Sequence, residues 1–157
     1  MTRILTIIAL LFATPAWAGE VDGNSFYCEG KSIKFNKDDK SWKHLPDHLR
    51  KKKLETPVGQ VIELDGGMAT TFYLSSSSGE FTKQSSQYTA YPSFVVWSGR
   101  ELNRKTLTLT LGGLMVGIFQ CEILELDEAF KKLREAFAIR ERINKMNDIK
   151  AREGNQF

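Results

Sequence analysis

The chain has 157 residues, 41% of them apolar and 26% charged, with 22 basic residues against 19 acidic ones and only two cysteines. That length excludes a fragment too short to build a core and fits one ordinary domain. A formal net charge of +3 does not mark out a class of partner, and two cysteines exclude a disulfide-dense miniprotein.

The chain opens with "MTRILTIIALLFATPAWAGE": a charged start at Arg3, an apolar run from Ile4 to Phe12, a helix-breaking Pro15 and the small-x-small triplet Ala16, Trp17, Ala18. This is the order of a secretory signal peptide cleaved after Ala18, and the apolar run is too short to span a bilayer permanently. The expected organisation is a signal peptide over 1–18, a disulfide-closed β domain over 19–125 and a C-terminal helix and tail over 126–157. Cleavage leaves 139 residues with 21 basic and 19 acidic side chains. No later stretch is apolar for long enough to cross a membrane and no lipoprotein cysteine follows the cleavage site, so the mature chain is expected to lack a transmembrane anchor and to be periplasmic or secreted.

From Ser25 to Phe35, apolar residues at short intervals predict a strand that carries Cys28. The segment "KDDKSWKHLPDHLRKKKLETP" follows, bounded by Asp38, Asp39 and Pro57. Pro46 suits a first helical position, with Asp47 in the first turn and Arg50 to Lys53 at the end, which predicts a helix of two or three turns. Next, "QVIELDGGMATTFYL" reads as a hairpin turning on Asp65, Gly66 and Gly67, and "SSSSGE" as a loop. "SQYTAYPSFVVWSG" reads as one strand interrupted at Pro92 or two short ones, the proline favouring an edge or a bulge.

"KTLTLTL" is the clearest strand of the sequence, with Leu107, Leu109 and Leu111 on one face and threonines on the other. Gly112 and Gly113 turn the chain back into "MVGIFQCEIL". Successive β-runs joined by short turns imply a mainly β fold: a small antiparallel β-meander barrel or sandwich with a short helical insert and a C-terminal amphipathic α-helix. Cys28 and Cys121 can pair or lie apart as two buried thiols, and an oxidising compartment favours a disulfide between them.

The last thirty-odd residues have charges at helical spacing, with Glu128–Lys132, Glu141–Lys145 and Asp148–Arg152 as i,i+4 pairs. Leu126, Phe130, Leu133 and Phe137 form one apolar stripe. Beyond Phe137 a second stripe, Ile139, Ile143, Met146 and Ile149, falls on nearly the opposite side. A straight helix cannot bury both against one body. A break near Ala138, a second chain or a frayed tail would reconcile them, and the lack of a strong helix breaker favours the last two. The second stripe is therefore a candidate interaction surface and a route to self-association.

Candidate chemistry is sparse. His44 and His48 are four apart, but Pro46 separates them and no third ligand lies nearby, so no metal site is expected. Residues 31–53 hold nine basic side chains against three acidic ones. Lys43, Arg50, Lys51, Lys52 and Lys53, with Trp42 and Phe35 interleaved, form a candidate anion-binding patch. In an exported chain its partner would be an anionic envelope component or a protein, and no nucleic acid is expected. Nucleophile, zincin and phosphate-loop motifs are missing, so no catalytic or cofactor-binding residue is assigned. Tyr88, Tyr91 and Trp97 could line a barrel mouth or simply fill core and sheet surface. Glu122 and Glu125 carry no glycosidase argument, since their separation cannot be read from sequence.

The order "YCEGKSIKF", "FVVWSG" and "QCEI" resembles exported C-type lysozyme inhibitors of bacteria. Those are small β-barrels in which an early cysteine follows a tyrosine and a late one closes the chain. The resemblance implies a barrel. The family's serine-glycine-x-x-tyrosine inhibitory loop is not matched by "SSGEF", which has Phe81 one position early, and the basic insert and long C-terminal helix are foreign to it. No functional residue is carried across. The expected function is that of a small exported non-catalytic protein binding a protein or an anionic envelope component. The alternatives are an oligomeric structural protein assembling through its C-terminal helix and a hydrolase with a site of unfamiliar pattern.

Overall fold

A computed structural model describes residues 21–50, 59–75 and 79–154; the expected signal peptide, Lys51, Lys52 and Lys53, and most of the serine loop lie outside the described residues. Nine strands form one antiparallel sheet: β1 (Asn24–Phe35), β2 (Gly59–Asp65), β3 (Met68–Leu74), β4 (Phe81–Gln87), β5 (Thr89–Ala90), β6 (Phe94–Trp97), β7 (Arg100–Asn103), β8 (Thr108–Leu111) and β9 (Met115–Leu124). Two helices accompany them, the short α1 (Asp47–Arg50) and the long α2 (Leu126–Gly154).

The strand order is β4-β3-β2-β1-β9-β8-β7-β6-β5. β4 and β5 therefore lie at opposite ends of the sheet, yet only Tyr88 separates them in the chain. That connection requires the sheet to curl until its ends meet, giving a nearly closed barrel. Contacts across the seam agree. Arg100 Nη2 donates to Gln84 Oε1 at 3.3 Å, and Trp97 Nε1 to Thr71 Oγ1 at 3.4 Å.

Local sequence explains each turn. Gly66 and Gly67, at φ 54° and 74°, make a two-residue hairpin loop of the kind that matches strand twist. Ser98 and Gly99, at φ 41° and 72°, make the same turn between β6 and β7. Inside the barrel, alternate residues from every layer meet in one core: Phe26, Ile62, Leu64, Val95, Leu102, Leu109 and Phe119 are all nearly inaccessible. Opposite parity puts Tyr27 and Val61 on the outer face, where they pack with Ala129 and Leu133 of α2.

The first and last strands are partners, with Cys28 directly opposite Cys121, and the two sulfurs are bonded at 2.06 Å. A disulfide inside the core suggests a non-cytoplasmic location. Among the described residues no helix is long and apolar enough to cross a membrane. The barrel implied by the resemblance is present.

Two expectations need correction. "KTLTLTL" is strand only from Thr108, because Asn103 Oδ1 accepts from the N–H groups of Lys105 (2.9 Å) and Thr106 (3.0 Å) and closes a turn that carries Leu107 to φ 51°. Lys132 reaches across to Glu122 of β9 at 2.6 Å instead of pairing with Glu128. The run around Pro92 forms two short strands, β5 and β6, with the proline in the turn between them at the edge of the sheet, which is one of the two readings expected. Of the predicted two- or three-turn helix after Pro46, one turn falls within the described residues.

Candidate interaction surface

α2 begins on the barrel and continues past it. Its first turn forms where the Ala129 N–H donates to the Glu125 carbonyl at 2.9 Å, with Asp127 and Glu128 favourably placed at the positive end of the helix dipole. Leu133 is fully buried, and Phe130 sits edge-on to Phe72 and Phe81 at centroid distances of 4.9 and 5.1 Å. Arg134 lies over the Phe81 ring and Lys132 over that of Tyr27, so the exposed edges of the interface are cation-lined. The first apolar stripe is thus consumed by the barrel.

No break occurs at Ala138. The helix stays regular to Gly154, and every residue from Glu141 to Arg152 is exposed. At 1.5 Å per residue its 29 residues span about 44 Å, so roughly the second half stands clear of the sheet. The second stripe lies on this projecting part: Ile139, Ile143, Met146 and Ile149 are 57%, 43%, 54% and 56% exposed. Four large aliphatic side chains in line on a preformed helix are an unpartnered apolar face, in contrast to single exposed hydrophobes elsewhere on the surface.

The basic insert is less coherent. Asp39 caps a 3-10 turn over Lys40–His44 by accepting from the Ser41 N–H at 2.8 Å, and Trp42 packs on Phe35 with ring centroids 5.3 Å apart. Lys43 is exposed on that turn. Arg50 is tied to Asp47 at 2.7 Å and donates through Nε to the Leu45 carbonyl at 2.9 Å, so part of its charge is already matched. Lys51, Lys52 and Lys53 lie outside the described residues. His44 ends the 3-10 turn and His48 belongs to α1, on separate elements either side of Pro46. Among the described residues no three metal-ligating side chains converge.

The aromatic residues that could have lined a mouth divide. Trp97 is core, and Tyr91 stacks on Phe94 at 4.6 Å on the surface. Tyr88 donates its hydroxyl to Asp22, and burial together with that hydrogen bond pushes its pKa up to about 12. A cavity of about 130 Å³ opens at the end of the barrel between Phe26, Val95, Leu102, Leu107 and Ile123, with Arg104 at its edge. Its walls carry no nucleophile and no acid-base pair. Glu122 is engaged by Lys132, and the Glu125 carbonyl accepts from the first turn of α2.

Two buried side-chain nitrogens, Gln60 Nε2 and Arg100 Nε, have no hydrogen-bond partner among the described residues. Burial also draws the Arg100 pKa down, with Tyr73 opposing the shift. Both atoms are sealed from solvent, so they are a cost to the fold of about 1–3 kcal/mol each and not a ligand cradle. Sequence reading could not have found them, because Gln60 and Arg100 turn inward only through their register beside Cys28 and Leu111.

Comparison of the chain with models of known protein families, with characterised proteins and with solved structures returns no match. Function is therefore argued from this surface alone.

Proposed function

We propose that this chain is a small exported, non-catalytic binding protein, with α2 as its binding element and a protein or an anionic envelope component as its partner. The observation that supports this reading is the projecting half of α2, whose four aliphatic side chains are held out on a helix that is already formed. A preformed helix loses little further entropy on docking, which is the advantage of presenting it on a cross-linked barrel. Export rests on the leader pattern of residues 1–18 together with the disulfide.

A chain ending at Ala138 tests the reading, because among the described residues none of those removed belongs to either core cluster. The full chain should be retained on washed cell envelope and the shortened one released, both melting at similar temperatures; equal retention would end the proposal. Intact mass tests export separately: a chain starting at Gly19 with no free thiol before reduction is expected. The same four exposed residues favour a second reading, assembly of copies through α2. In that case shortening would lower the sedimentation mass, and an unchanged mass rejects it.

A further inference from the structure

Charges on the projecting half of α2 are sorted by direction. With 100° per residue, the exposed stripe points roughly 165° away from the stripe buried on the barrel, so a flat surface can meet it without touching the barrel. Arg142 and Lys150 flank the stripe within about 45° of its centre, and Lys145 and Arg152 stand further round at the sides. Between Ile139 and Arg152 the only two acids, Glu141 and Asp148, lie on the far side, roughly 145–165° from that centre. All of these side chains except Ile139 fall in the fully exposed run from Glu141 to Arg152, and Ile139 itself is 57% exposed.

An apolar face, basic flanks and an acidic back is the arrangement of a helix that lies in the surface of an anionic bilayer, with its cations reaching outward to headgroups. A second copy is a poorer occupant. Pairing with a second copy over Ile139 to Ile149 would bring cationic flanks to cationic flanks. We propose, resting on the binding-protein reading above, that the outer face of α2 docks on anionic lipid headgroups, with Ile139, Ile143, Met146 and Ile149 entering the interface. It lies on the bilayer and does not cross it, in keeping with the absence of a spanning helix among the described residues.

The test is co-sedimentation of the full mature chain with vesicles of phosphatidylcholine and phosphatidylglycerol in two-to-one ratio, against vesicles of phosphatidylcholine alone. Binding to the anionic vesicles, weakened by salt, is expected. Neutralising Arg142, Lys145 and Lys150 to Gln should lower partitioning by about 100-fold, at roughly tenfold or less per basic residue. Ile143→Asn with Met146→Asn should lower it at least about tenfold, by loss of buried apolar area. Both variants change exposed positions only, and circular dichroism confirms the helix.

Several results would overturn the proposal: no binding to anionic vesicles, equal binding to neutral ones, or sensitivity to Lys43 and Arg50 but not to α2. A dimer that dissociates on Ile143→Asn with Met146→Asn would do the same, since the stripe would then be covered by a second copy. If vesicles fail while the chain ending at Ala138 is still released from envelope, the lipid is wrong and the binding-protein reading stands. Failure of both removes both.

Discussion

Reducing the Cys28–Cys121 bond should cost this protein a large part of its stability. The two residues are 93 apart in sequence, so the bond closes most of the described chain into one loop. In the chain-entropy treatment a loop of that length is worth about 4 to 5 kcal/mol through the unfolded state. Both sulfurs lie in the core, with Cys28 0% and Cys121 4% exposed, and reduced cysteine packs as a small apolar residue, so the native state should survive reduction with its core filled. The pair also joins strands already hydrogen-bonded to each other, so the bond adds no new contact between elements, and the effect belongs almost wholly to the unfolded chain. The assay is urea unfolding with and without excess reductant, followed by tryptophan fluorescence from buried Trp97. With a slope of about 2 kcal/mol per molar urea, the midpoint should fall by roughly 2 M. A fall below about 0.5 M, equivalent to ~1 kcal/mol, would refute the reasoning.

Leu133 is the fully buried anchor of α2, so Leu133→Ala should destabilise by about 2–5 kcal/mol, which for a domain of this size is a Tm lower by roughly 7–17 °C in calorimetry. Ser98 occupies the first positive-φ position of a two-residue turn where asparagine is favoured; Ser98→Asn should raise stability by about 0.5 kcal/mol, and a loss would contradict the turn assignment. Tyr88, with its pKa raised from 10.0 to about 12, should be the last tyrosine to ionise in an ultraviolet titration, a step absent from Tyr88→Phe. Because the unfolded tyrosine ionises first, its contribution is complete below pH 10 and is lost as pH rises through about 12.

What could be read from sequence depended on whether one face of an element was buried. β3, β9 and the first stripe of α2 were legible because each buries one face and leaves the other to solvent, and β2, buried on both faces, because it is a β-prone run ending at the Asp65-Gly66-Gly67 turn. β4, "FTKQSSQ", left no such trace: it is the sheet's end strand and six of its seven residues are exposed, so no apolar face is required. β7 is four residues long and turns only Leu102 fully into the core, too little for a period to show. The overlong reading of "KTLTLTL" failed for a different reason. Its alternation is real, but side-chain capping by Asn103 diverts Leu107 into a turn, and such local hydrogen bonding competes with strand pairing. The seam of the barrel was also invisible, since it lies where β4 and β5 meet through the single residue Tyr88 and neither strand shows a period.

The interaction surface was legible as two stripes on opposite sides of one helix. The sequence could not say which of the three resolutions applied, because nothing in it determines how far the barrel extends beneath α2. The sheet ends near Phe137, and the helix does not. That difference in length exposes the second stripe, and the account of function depends on it.

The most direct test places a photo-crosslinking residue at Ile143, on the outer face, and in a parallel sample at Glu141, on the acidic back, in protein expressed in its native compartment. Both positions are exposed, so reactivity alone does not distinguish them. The account predicts adducts to an envelope component from position 143 and few or none from position 141. Equal yields from the two positions, or none from 143, would contradict it.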